Sequence, residues 1–179
     1  MSAQQQNDWR ILEQSAMQLL SAPESLIDNK ETNLLLRLWQ YPSFERHKVW
    51  AVYVEKNSEQ SYSIQRVIWN AQSDQKRLFS QLVPSKQGFQ AKPNVTSKVK
   101  SVNTEIIDPF IEELLEIKIV PFVAQNDVGI DGIRFGFEFR KFKAEANFSW
   151  WCEVPQEWET LEKWFLKTKN FLDNQFVHI

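Results

Sequence analysis

Asn126–Trp164 reads NDVGIDGIRFGFEFRKFKAEANFSWWCEVPQEWETLEKW, and this stretch decides the fold. Ile133, Phe135, Phe137 and Phe139 alternate with Arg134, Gly136, Glu138 and Arg140, the period-two pattern of a half-buried strand. A turn at 141–144 then leads into Ala146, Phe148, Trp150 and Cys152, which alternate with Asn147, Ser149 and Trp151. The bulky aromatic row of each strand is expected to face the core, with Cys152 as a small core residue. Pro155 opens a helix through about Asn174, whose apolar face carries Trp158, Leu161, Phe165, Thr168 and Leu172, widened by Trp164 and Phe171. Acids early in this helix and lysines late suit its dipole. The unit is therefore a turn, a hairpin and a helix.

Working outward, three more runs read as strands: 33–41, 47–55 and 61–70. Their connections are short enough for hairpins, so they form an antiparallel meander. Both faces of 47–55 are apolar, which suits a central strand covered on each side. Upstream, Trp9, Leu12, Ala16, Leu19 and Leu20 recur at helical spacing, with Asp8 as the expected cap and Pro23 as the stop. Asp74 is expected to cap a short helix carrying Leu78, Phe79 and Leu82. Asp108-Pro109 is expected to start another, with Phe110, Ile111, Leu114 and Leu115 as its stripe. The run 117–123 reads as a short strand, and 84–103 as a flexible polar and basic segment. The sum is one α+β domain over 1–179. It is built as an antiparallel sheet of about five strands packed by N-terminal, central and C-terminal helices.

Composition bounds the function. The chain is 42% hydrophobic and 25% charged, a globular profile, and its formal charge of −2 gives no global pull towards nucleic acid or anionic membrane. The first residues carry Asp8 and Glu13 without an apolar run, so a cytoplasmic protein is expected. A single cysteine excludes an internal disulfide and a cysteine zinc cluster. The turn from Asp127 to Gly132 mimics a calcium loop ending at Glu138. Gly129 offers no side-chain oxygen at the third position, however, and a strand follows where a helix is required, so no metal and no cofactor is expected. His47, His178 and Cys152 do not read as a nucleophile–base set, and the glycines are not placed as a phosphate loop.

Asp131-Gly132 before an aromatic strand, a tryptophan-rich strand, a proline and a Trp-x-x-Leu-x-x-Trp helix resembles the C-terminal half of small bacterial α+β proteins, including toxin-immunity proteins. The resemblance covers the C-terminal third of the chain only. It implies a non-enzymatic, partner-binding protein and carries over no functional residue.

Three function classes are open on this reading. The first is an interaction protein of the bacterial cytosol, acting on a protein partner or as a homodimer. Its surface would lie at Arg134, Glu138 and Trp151, opposite the aromatic rows, where substitution is expected to alter binding with little loss of stability. The second is a ligand or enzyme cavity lined by Trp50, Trp69 and Trp150, with Arg134 or Glu138 as polar handle. The third is anion contact through the acid-free segment 76–100, with Lys86, Lys92, Lys98 and Lys100 as the cations. No nucleic-acid motif accompanies these lysines, so nucleic acid is not the expected partner.

Overall fold

The computed structural model describes residues 2–27, 32–43, 45–55, 60–80, 92–121, 123, 131–141 and 143–177. Among the described residues six strands form one antiparallel sheet: β1 (Thr32–Pro42), β2 (Arg46–Glu55), β3 (Ser61–Asn70), β4 (Val95–Asn103), β5 (Ile133–Lys141) and β6 (Ala144–Trp151). Their order is β4-β3-β2-β1-β5-β6, so the class is α+β, with six strands rather than about five. The added strand is β4. Its VTSKVKSVN reads as a polar loop because it is a mostly exposed edge strand, held by backbone pairing with β3 from Val95 to Asn103. The flexible segment expected at 84–103 is thus a strand in its second half, and 84–91 lies outside the described residues. Residues 117–120 form no strand.

Four α-helices among the described residues flank the sheet: α1 (Ala3–Ser21), α2 (Ala71–Ser80), α3 (Thr104–Glu116) and α4 (Glu159–Asn174). None is long and apolar enough to cross a membrane. Three of the starts differ from the sequence reading. Ser2 rather than Asp8 caps α1, through a capping box with Gln5. The Asn70 side chain, not Asp74, accepts the Ser73 N–H at the start of α2. Asp74 is instead buried, accepting from Trp69 Nε1 at 2.8 Å and from the Asn94 N–H at 2.7 Å, which ties β3, α2 and the approach to β4. Finally, α3 begins at Thr104 with Asn103 as its cap, and Pro109 lies inside it. Starting early adds Ile107 to the buried stripe of Ile111 and Leu114. That burial offsets the one backbone bond Pro109 cannot donate.

The sheet has two cores. On the front face α3 and α4 cover Leu36, Leu38, Trp50, Val52, Phe137 and Trp150, with Trp164 and Phe165 inserted from α4. Trp164 Nε1 donates to the Phe110 carbonyl at 2.8 Å, pinning α4 to α3. A register shift between Leu34 and Leu36 lets both Leu35 and Leu36 reach this core. On the back face α1 and α2 cover Trp39, Val49, Val67 and Trp69. The central β1–β2–β3 strands are therefore apolar on both sides, as 47–55 predicted. Trp39 and Trp69, which alternate away from the front core, are buried by helices and form no exposed patch. The back core stops at Trp39, whose indole lies on Gly136 of β5: a Cβ there would sit 2.4 Å from Trp39 Cζ2 and 2.5 Å from the Phe148 carbonyl oxygen. Glycine is required by this close approach.

Candidate functional site

Beyond Trp39 the back face changes character. On β5 it presents Arg134, Gly136, Glu138 and Arg140, and on β6 Glu145, Asn147, Ser149 and Trp151. Among the described residues no helix lies over the back face of these two strands, and the back core includes none of their residues. Arg134 and Asn147 are exposed, while Ser149 and Trp151 are half-buried. Arg134 faces Tyr41 on β1 and Trp151 on β6, and it reaches Ser149 Oγ at 3.5 Å. The structure thus brings Arg134 and Trp151 together, as the alternation implies.

Glu138 is not on that surface. Only 1% of it is exposed. Its carboxylate pairs with Arg37 at 2.5 Å and with Arg140. Arg37, cross-strand from Glu138, also donates to the Ser21 carbonyl at the end of α1 and stacks over Trp39. A cation at a helix C-terminus is favoured by the dipole. Glu138 is therefore the counter-charge that lets Arg37 join α1 to the sheet. Alternation put Glu138 on the correct face, but it could not show that two arginines pair with it there and that it is buried.

The expected tryptophan cavity does not form. Trp50 and Trp150 lie in the front core, Trp69 in the back core, and all three are buried. A different opening exists: a cleft of about 780 Å³ at one end of the front face, between α3 and the ends of β1, β2, β3 and β5. Leu34, Val54, Tyr62, Asp108, Glu112 and Arg140 line it. Tyr62 donates to Asp108 Oδ1 at 2.7 Å. Burial, reinforced by this bond and the Asp108 charge, pushes the phenol up to about 12, so it stays a neutral donor. Opposite charges on the walls suit recognition of a polar molecule.

Of the basic residues, Lys86 lies outside the described residues, and Lys92 is exposed just before β4, its carbonyl accepting from Arg77. Lys98 and Lys100 occupy front-face positions of β4, opposite Arg66 and Ile64 of β3. The structure adds cations that the sequence did not group with them: Lys48, Arg66 and Lys169. They come from β2, β3 and α4, so only the strand register could unite them.

The calcium-loop positions 127–130 lie outside the described residues, and Glu138 is committed to its arginines. Among the described residues no three His, Cys, Asp or Glu side chains are placed to hold a metal. Cys152 is exposed, which corrects its assignment to the core. The strand ends at Trp151, and Cys152 turns away with φ of 55° while its N–H still donates to the Ile133 carbonyl at 2.8 Å.

His47 is walled in between Tyr41, stacked at 5.3 Å, and the edge of Trp69 at 4.8 Å. Burial drives its imidazole down to about 4, against a smaller opposing effect of a hydrogen bond with the Pro42 backbone. The folded state therefore binds this proton less readily than the unfolded chain. Stability from His47 is complete above pH 6.5, falls as pH drops from 6.5 to about 4, and is constant below. Urea denaturation is expected to register a loss approaching about 3 kcal/mol across that window. His47→Gln should remove this part of the pH slope.

Comparison of the chain with family models, with curated proteins and with solved structures returned no match.

Proposed function

We propose that this protein is a non-catalytic, immunity-like interaction domain of the bacterial cytosol. It docks a partner protein on the β5–β6 half of its back face. The observation that carries this reading is the uneven covering of the sheet. Two helices close the front face and two close the back face over β1–β3, while among the described residues the back face of β5–β6 bears no helix. The strip left open carries Arg134 beside Trp151, residue types that dominate binding energy at protein interfaces, and Asn147 and Ser149 as adaptable hydrogen-bonding groups. The resemblance of 131–164 to toxin-immunity proteins points to the same kind of role.

The test is site-specific photo-crosslinking in bacterial cells, with a photoreactive residue at Asn147 or, as a control, at Lys163 on the exposed side of α4. The expected result is a discrete adduct from position 147 only. An adduct of twice the chain's mass would make the partner a second copy. Equal adduct patterns from both positions would defeat the proposal.

The cleft favours a second reading, a small polar ligand held by Tyr62, Asp108 and Arg140. Tyr62→Phe would then weaken binding of that ligand without affecting the crosslink at Asn147.

A further inference from the structure

We propose that the front face carries an anion site where the C-terminal end of α4 meets β2, β3 and β4, suited to a compact ligand of the diphosphate class. It is on the opposite face from the docking surface and does not rest on that reading.

Asp173, near the end of α4, is the centre of the site. Lys48 Nζ lies 3.2 Å from one carboxylate oxygen, and Arg66 lies 3.0 Å from the other, to which Trp50 Nε1 also donates at 3.1 Å. Lys169, one helical turn earlier, places its Nζ 5.9 Å from the Trp50 ring centre, beside Lys48 at 5.8 Å from the same ring. Lys100 Nζ donates to the Gln175 carbonyl at 3.4 Å. Lys98 lies beside them, cross-strand from Arg66.

Two cations, Lys48 and Arg66, thus pair with one carboxylate, while Lys169 stands by the Trp50 ring and Gln40 and Lys100 by Gln175, so four cations flank this end of α4 on a chain whose formal net charge is −2. A helix C-terminus contributes about half a negative charge. One or two cations would satisfy Asp173 and the helix end, so the cluster holds about two to three positive charges more than packing requires. These charges are partly desolvated. Burial pushes Lys169 below its ordinary value; Asp173 pulls it back, and the Lys48 charge pushes it down again. For Asp173 burial acts upward, but Arg66, Lys48 and Trp50 outweigh it and hold the carboxylate below its ordinary value.

Such crowding costs stability unless an anion completes it. Arg66 is held in place by Asp173 and by the Phe176 ring, 4.8 Å from its guanidinium carbon, so it is pre-organised. Lysines beside it supply strong donors to phosphate oxygens. The cations come from four elements that meet at the end of α4, and a cluster of this kind suits a compact anion better than a nucleic-acid backbone, which needs a long basic groove.

The test is thermal unfolding of the full chain with inorganic pyrophosphate at constant ionic strength. A saturable rise in Tm is expected, about 5–10 °C at a hundredfold excess over Kd. Lys169→Met should weaken pyrophosphate binding about tenfold or more, while raising the Tm of the ligand-free protein. Lys48→Met should weaken it similarly. Lys163→Met, on a side chain 77% exposed, should leave it unchanged. The proposal is overturned if sulfate at matched ionic strength stabilises equally. It is also overturned if both variants bind as the parent does, or if an RNA oligonucleotide binds where pyrophosphate does not.

Discussion

Glu138→Ala is expected to destabilise the protein by about 3–5 kcal/mol, the cost of removing one partner from a buried ion pair. Arg37, with a side chain only 15% exposed, would be left beside Trp39 without its carboxylate. Its bond to the Ser21 carbonyl at the end of α1 would be weakened by the same loss, because Glu138 fixes the guanidinium that makes it. Arg134→Ala, two positions away along the same strand face, is expected to fall within about 0.5 kcal/mol, as exposed substitutions do. Urea denaturation of the two variants separates a structural carboxylate from a surface arginine on one row of β5. Replacing both Arg37 and Glu138 by leucine should cost much less than the sum of the single changes, because the unpaired charge disappears with its partner. Additive losses would mean that the pair is not coupled.

Trp50→Ala carries the other large expected effect, also about 3–5 kcal/mol. The indole is fully buried in the front core between β1 and β3, so its removal leaves a cavity that surrounding leucines cannot fill. It also removes the Nε1 donor from Asp173 and the ring approached by Lys48 and Lys169. The loss should therefore exceed that of Trp151→Ala, whose side chain is half-buried at the end of β6. Guanidinium denaturation midpoints give the comparison directly, and equal losses would place Trp151 in the core.

The strands were legible wherever one face is apolar. Phe135, Phe137 and Phe139 marked β5, and both-sided apolar character marked β2 as central, because alternation records burial directly. β4 was not legible for the same reason. It presents Lys98 and Lys100 among polar residues, and backbone pairing to β3 holds it without a row of its own. The start of α3 was misplaced because Asp108-Pro109 is a strong local signal, yet burying Ile107 rewards a start one turn earlier. At the candidate site, alternation placed Arg134, Glu138 and Trp151 on one face but gave no view of the neighbouring strand. Arg37 from β1 decides that Glu138 is structural, and this depends on register. The cluster around Asp173 is the plainest case: its cations come from β2, β3, β4 and α4, so no window of sequence contains it.

The proposed docking surface is tested most directly by the yield of the Asn147 photo-crosslink in the Arg134→Glu variant, measured beside the parent at matched expression. Glutamate at this position reverses the charge of the open strip while leaving both cores intact. The adduct is expected to be lost while the unfolding free energy from urea stays within about 0.5 kcal/mol of the parent. An undiminished adduct from a folded Arg134→Glu protein would contradict it.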